Sequence, residues 1–319
     1  MIVKETLSFQ SANGKNQIYA KIWRPEGQAV KGILQISHGM IEHIERYNEF
    51  AMFLAKKGFV VVGNDHMGHG KSVTHQEEWG YFSEKEGSKK VVQDLYTLTL
   101  KMKERYPGLP YFVLGQSMGS FMIRRYLMTY PEAVQGAVIM GTGYQSPIKL
   151  CIARCFLKIY ECYFGAKYRS AFLEKIMFGS YNRHFSKDKK GKEWLSRDEE
   201  MVHRYRSDPA CSFLFTVNGI ETLLETLHFI QAKKNIERFP VDTPVLMISG
   251  SEDPVGNYSK GVKKVINVYQ KHGVKEIEAK FYEGARHEPL NEVNREDVYQ
   301  MIYKHLCCWI KKSSYHVHL

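Results

Sequence analysis

A glycine-flanked serine at residues 115–119, Gly-Gln-Ser-Met-Gly, is the feature that most restricts how this chain folds. The apolar run before it predicts a buried strand, and residues 120–128 after it predict a helix. A serine on so sharp a strand-to-helix turn is a nucleophile elbow. Gly115 and Gly119 are required because side chains would clash in the turn, and the helix start favours a developing negative charge. We therefore predict that Ser117 is a catalytic nucleophile.

Predicted strands and helices alternate along most of the 319 residues, which indicates an α/β protein with a mostly parallel, doubly wound sheet. The alternation stops over residues 145–235, where several aromatic-rich helices are expected instead. This insertion leaves the carboxyl edge of the sheet, where ligands bind in such folds, so we interpret it as a cap over the serine. The predicted organisation is a core of residues 1–144 and 236–319 with a helical cap of residues 145–235.

Two partners for the serine follow later predicted strands. A serine hydroxyl needs a base to take its proton, and the base is usually a histidine oriented by a carboxylate. Asp253 and His287 each come directly after a strand, and the order Ser117, Asp253, His287 is that of α/β-hydrolases. Glu252 competes for the orienting role; we favour Asp253 because Pro254 follows it and stiffens the loop.

An acyl-transfer site also needs two N–H donors for the tetrahedral oxyanion. One is expected from Met118, the residue after the nucleophile. The other is expected from Met40, in the loop after the third predicted strand. Gly39 lets this backbone approach the substrate closely, and we expect His38 to brace the loop rather than to move protons.

Two histidine-rich segments resemble ligand sites without completing one. Residues 65–72 end like a phosphate-binding loop, but Asp65 occupies its first glycine position. His38 and His43 are zinc-like residues, yet they lie five apart in a loop and not four apart on a helix. We therefore predict no metal and no cofactor, and we expect residues 65–72 to pack beneath the site.

Composition limits the compartment and the partners. The net charge is +11 without a recognisable nucleic-acid module, so nucleic acid is not an expected partner. A solvated basic surface explains the charge; weak attraction to anionic lipid is the alternative. The six cysteines form no CxxC pair and are expected to be buried free thiols. No signal peptide and no long apolar run is visible in the sequence. These features favour a cytoplasmic protein, and the oligomeric state is not predicted.

The first segment of the insertion, residues 148–164, is amphipathic and basic. Apolar side chains alternate there with Lys149, Arg154 and Lys158. Packing of this helix on the core is one interpretation; a membrane-facing lid that collects lipid is the other.

Together these motifs resemble the monoacylglycerol lipase and lysophospholipase branch of the α/β-hydrolases, the serine-aminopeptidase-like group. The resemblance covers nearly the whole chain and rests on residues 38–43, 65–72, 115–119, 194–198, 208–211, 250–256 and 283–288. It implies a serine hydrolase that cleaves fatty-acid esters without a cofactor. The family's oxyanion hole maps onto Met40 and Met118, and its cap forms an acyl tunnel that in some members touches membrane.

The predicted function is cleavage of carboxylic esters of single-chain lipids, such as monoacylglycerol or lysophospholipid, through an acyl-enzyme on Ser117. A short-chain carboxylesterase, an amidase or an acyltransferase with the same triad are alternatives. A catalytically silent binding protein of this fold is a further one, although that class is expected to have lost triad residues.

Overall fold

The computed structural model describes residues 1–185 and 191–316, so residues 186–190 of the predicted cap and 317–319 of the predicted core lie outside the described residues. Eight strands form one sheet within the described chain. They are β1 (Ile2–Gln10), β2 (Gln17–Pro25), β3 (Gly32–Ser37), β4 (Phe59–Asn64), β5 (Tyr111–Gln116), β6 (Gly136–Met140), β7 (Val245–Gly250) and β8 (Ile277–Tyr282).

The sheet has the spatial order β1-β2-β4-β3-β5-β6-β7-β8. β1 and β2 form an antiparallel hairpin, and β2 is also antiparallel to β4. The pairs from β4 through β3, β5, β6 and β7 to β8 are all parallel. The predicted α/β fold with a mostly parallel sheet is therefore confirmed.

Helices cover both faces of the sheet. They are α1 (Asn48–Lys56), α2 (Gly87–Arg105), α3 (Met118–Thr129), α4 (Pro147–Phe164), α5 (Ala171–Phe178), α6 (Glu199–Ser207), α7 (Val217–Gln231), α8 (Lys233–Ile236), α9 (Lys260–His272) and α10 (Arg295–His316). One core cluster joins the sheet to α1 and α10, and the other joins it to α2, α3, α7 and α9. β3 to β7 are buried along their whole length, as their unbroken apolar runs require.

The stretch between β6 and β7 contains α4 to α8 and begins at the edge of the sheet where β5 and β6 end. α7 packs against α2, α3 and α4, which attaches this stretch to the rest of the molecule. No helix in the described ranges is both long and apolar enough to span a bilayer.

The prediction of buried cysteines is wrong for most of them. Cys211 is buried and Cys307 half-buried, whereas Cys151, Cys155, Cys162 and Cys308 are exposed. Three of the exposed thiols lie on α4, whose outward face is more apolar than the sequence pattern indicated.

Candidate active site

Ser117 lies on the turn between β5 and α3 in a strained backbone conformation. Its φ of 53° and ψ of −121° fall in a region that non-glycine residues rarely adopt. The amide of Ser117 donates to the carbonyl of Met140 at 3.0 Å, and its carbonyl accepts from the Ser120 amide at 2.8 Å. Strain of this kind costs roughly 1–3 kcal/mol and persists only where the surroundings enforce it.

Gly115 and Gly119 allow the turn to pack tightly. A Cβ on Gly119 would lie 2.0 Å from the carbonyl oxygen of Ser37, at the end of β3. A Cβ on Gly115 would lie 2.4 Å from the carbonyl oxygen of Gly119. The sequence pattern is thus explained by contact between β3, β5 and α3, which leaves no room for a methyl group.

We expect Gly119→Ala to lower stability and to impair the site at the same time. The new methyl group would meet backbone atoms of Ser37 and His38, which cannot rotate away, and overpacking of this kind costs about 1–3 kcal/mol. Chemical denaturation measures the loss. Gly32→Ala, whose Cβ would have its nearest neighbour at 3.1 Å, is the matched control and should cost less. Equal losses in the two variants would contradict this account.

Asp253 and His287 are brought together from two separate loops. The Oδ1 atom of Asp253 accepts a hydrogen bond from His287 Nδ1 at 2.9 Å and another from the Val255 amide at 2.9 Å. The carboxylate is fully buried and the imidazole is 2% exposed. The competing carboxylate, Glu252, is exposed, which favours Asp253 as the orienting acid.

This pairing determines the protonation of the histidine. Burial opposes the charged ring, but the Asp253 carboxylate and its hydrogen bond outweigh burial and raise the pKa of His287 above its usual value. In the neutral ring Nδ1 holds the proton that is donated to Asp253, and Nε2 keeps its lone pair. The same ring lines a cavity with Ser117, so a base is available beside the serine.

The loop that follows β3 approaches the elbow closely. A Cβ on Gly39 would lie 2.6 Å from Glu42 Oε1 and 3.2 Å from Ser117 Cβ, so the close approach of this loop to the elbow requires glycine. Met40 and Met118, the two predicted donors, both line the cavity beside Ser117. Their amides stay the predicted oxyanion hole.

His38 is held in one tautomer beneath this loop. Its Nδ1 donates to the Gly39 carbonyl at 2.7 Å, and its Nε2 accepts from the His66 amide at 2.9 Å. Burial, with a further contribution from His66, lowers the pKa of His38 well below its usual value. A neutral ring bonded at both nitrogens can brace the loop, as expected from the sequence.

Residues 65–72 form internal hydrogen bonds next to the oxyanion loop. Asp65 accepts bonds from the amides of Ile44 and Lys71, both at 2.7 Å. Ser72 donates to the Asp65 carbonyl at 2.7 Å. These bonds hold the chain that follows the oxyanion loop.

A buried charge cluster beside the site was missed by the sequence reasoning. Arg46 contacts the carboxylates of both Glu42 and Glu288. Glu42 follows the oxyanion loop, and Glu288 follows His287. The one available signal was the i,i+4 spacing of Glu42 and Arg46, which does not reveal a partner 242 residues away.

His43, Asp208 and Cys211 place three potential metal ligands within 4.8 Å of one another. His43 Nε2 and Asp208 already share a hydrogen bond of 2.8 Å. Burial raises the pKa of the Cys211 thiol, which disfavours the thiolate form that binds a metal. We therefore assign no metal to this cluster.

The cavity beside Ser117 has a volume of about 250 Å³. Ser117, His287 and the loop 39–42 line one part of it. Apolar side chains from α3, α4, α5 and α7 line much of the rest: Phe121, Leu150, Ala153, Met177, Phe178, Leu223, Leu224 and Leu227. Polar side chains, among them Gln145, Lys149, Tyr181 and Lys192, also line it.

The parallel sheet, the strained serine elbow and the buried Asp–His pair define an enzyme with the α/β-hydrolase fold, specifically a serine hydrolase of carboxylic esters. The chain belongs to the Hydrolase_4 family, serine aminopeptidase S33, whose model matches residues 28–294.

Known relatives agree with this assignment. A monoglyceride lipase homolog of Monkeypox virus is 26% identical over 92% of this chain and 94% of its own. A monoacylglycerol lipase of Mycolicibacterium smegmatis is 26% identical over 94% and 97%. The crystal structure of a thermostable carboxyl esterase from Bacillus coagulans, in complex with glycerol, is 31% identical, with a TM-score of 0.89 over 97% of this chain and 99% of that one.

Proposed function

We propose that this enzyme hydrolyses single-chain lipid esters, of the monoacylglycerol or lysophospholipid kind, through an acyl-enzyme on Ser117. The observation that carries the proposal is the cavity, which joins the serine and histidine to an apolar channel between helices. Binding of an acyl chain becomes more favourable by roughly 0.8 kcal/mol for each CH₂ that leaves water, so such a channel favours substrates with a long acyl chain. The named activities of the monoglyceride lipase relatives agree with this choice.

The proposed mechanism uses three side chains and two amides. The Ser117 hydroxyl attacks the ester carbonyl carbon while His287 Nε2 takes its proton, and Asp253 stabilises the resulting imidazolium. The amides of Met40 and Met118 bind the oxyanion. Collapse breaks the ester C–O bond, and His287 gives its proton to the leaving alcohol. Water, deprotonated by His287, then attacks the acyl-serine. The bond from the acyl carbon to Ser117 Oγ breaks, His287 returns the proton to Oγ, and the fatty acid is released.

A panel of nitrophenyl and glycerol esters of increasing chain length tests the substrate class. We expect kcat/KM to rise with chain length, by about fourfold per buried CH₂, until the channel is filled. Ala153→Phe, on the cavity wall from α4, should cut activity on the longer esters and leave the shortest ones unaffected. A decline from the shortest ester onward would instead identify a short-chain carboxylesterase.

The same preparation distinguishes the other classes. Added alcohol or amine acceptors reveal an acyltransferase by the product formed, and amide substrates reveal an amidase. A fluorophosphonate probe that fails to label Ser117 would support a silent binding protein.

We further propose that residues 145–235 form the cap, with the last residue inside α8, and that this cap contacts anionic membrane. On α4 only Leu150 and Leu157 are buried, among its described residues. Large apolar side chains on α4 and α5 face outward instead: Ile148, Ile152, Phe156, Ile159, Tyr163, Phe164, Phe172 and Ile176. Such a face, next to basic residues, suits the surface of a bilayer.

Flotation with phosphatidylglycerol vesicles at low salt tests this contact. We expect the protein to float, and Ile152→Glu to lower the partition coefficient about tenfold or more, because an exposed isoleucine is lost from the interface and a negative charge is added. Leu100→Glu on α2 makes the same charge change at a residue that is 49% exposed, and should leave binding unaltered. Absence of flotation of the unmodified protein would contradict the proposal.

A further inference from the structure

Arg46 joins the two loops on which the proposed chemistry depends. Its Nη1 and Nη2 atoms donate to the two carboxylate oxygens of Glu288 at 2.9 and 2.7 Å. Nη1 also donates to Glu42. Glu42 in turn accepts from the Gly39 amide, and Glu288 is covalently adjacent to His287. A continuous set of charged bonds therefore runs from the oxyanion loop to the histidine loop.

Three further side chains contact Glu42, Glu288 and Arg46. Tyr47 donates to Glu42 at 2.8 Å, and Asn291 donates to Glu288 at 2.8 Å. The guanidinium lies 4.7 Å from the ring centroid of Tyr205, on α6. Arg46, Glu42 and Glu288 are only 12%, 4% and 8% exposed.

Stability alone does not account for three buried charges. Desolvation of buried ion pairs is costly, and apolar replacements of the same volume are often as stable or more so. A bidentate guanidinium–carboxylate pair does, however, fix both the distance and the plane of its two partners. The pair is thus suited to holding two loops in one geometry.

We propose that Arg46 is a positioning residue, which sets the Met40 amide and His287 at the separation that the reaction requires. The proposal rests on the acyl-enzyme function of Ser117. Arg46 itself touches neither loop's reacting atoms; it acts through Glu42 and Glu288. A misplacement of about 1 Å in such a site can cost about 10²-fold in rate.

Arg46→Ala and Arg46→Lys test this role in the full-length protein. We expect kcat and the rate of fluorophosphonate labelling to fall by about 10²-fold in Arg46→Ala, with KM within about threefold. Arg46→Lys keeps the charge and serves if the alanine variant does not fold. Lysine lacks the fork that spans two carboxylates, so its kcat should also fall, by at least about tenfold.

Guanidinium rescue separates positioning from a merely structural role. Arg46 lines a surface groove, so a small cation can reach the space that Arg46→Ala leaves. Guanidinium chloride at tens of millimolar should restore kcat at least about tenfold relative to its effect on the unmodified enzyme, whereas sodium chloride should not. Arg125→Ala removes another buried, paired arginine, bonded to Glu225 at 2.9 Å. It should lower the Tm without a loss of kcat or any guanidinium response.

The outcomes are distinct. Full kcat and labelling in both Arg46 variants, or a loss that only follows the unfolded fraction and that guanidinium leaves unchanged, overturns the positioning role. Failure of the unmodified enzyme to be labelled at Ser117 overturns the proposed function, and the positioning role with it. Labelling of Ser117 that slows in the Arg46 variants supports both.

Discussion

Replacement of Ser117 by alanine should abolish ester hydrolysis, with kcat lowered by about 10⁴-fold or more. The hydroxyl is the nucleophile of the proposed acyl-enzyme, and it lines the same cavity as the buried, Asp253-bonded ring of His287. The residual rate would come from substrate binding and the oxyanion donors alone. Stability should be preserved or increased, because the change removes one hydroxyl and leaves the strained backbone enforced by its neighbours.

Activity on the ester panel and labelling by the fluorophosphonate probe measure this effect. Ser212→Ala provides the control, since Ser212 is an exposed serine whose hydroxyl bonds only to the carbonyls of Arg206 and Asp208 among the described residues. Unchanged hydrolysis in Ser117→Ala, or probe attachment at another residue, would refute the assigned nucleophile.

Local patterns predicted the fold and the position of the elbow because each depends on neighbours in sequence. The buried run of β5, the glycines and α3 all lie within residues 111–129, so the local sequence alone was enough to predict the elbow. The alternation of strands and helices then indicated the sheet, and it is confirmed. The triad and its oxyanion donors stay predictions, although Asp253 and His287 are in contact.

The local sequence patterns did not predict the long-range contacts. The link from Arg46 to Glu288 joins residues 242 apart, and nothing in the local sequence of either residue indicates the other as its partner. The orientation of α4 was also ambiguous, because an amphipathic pattern does not say which face meets protein. Most of its large apolar side chains are exposed, and the thiols of Cys151 and Cys155 are exposed with them.

Replacement of Asp253 by asparagine should lower kcat by about 10⁴-fold while leaving the fold intact, as expected when the orienting carboxylate of such a triad becomes an amide. An amide can turn its NH₂ group toward His287 Nδ1, which then has to accept rather than donate. The proton moves to Nε2, and the lone pair that should take the serine proton is lost. Glu252→Gln is the matched control, because that neighbouring carboxylate is exposed, and it should retain activity within about twofold.

Asp253→Asn should also change the pH dependence of activity. His287 acts as a base only when neutral, so kcat/KM should fall as the pH decreases through the pKa of His287. The Asp253 carboxylate raises that pKa, so the acidic limb of the unmodified enzyme should have its midpoint above the ordinary histidine value of about 6.5. In Asp253→Asn the charge is gone and burial remains, so the midpoint of the residual activity should move to lower pH. A midpoint that stays in place, or that moves with Glu252→Gln instead, would assign the orienting role to a group other than Asp253.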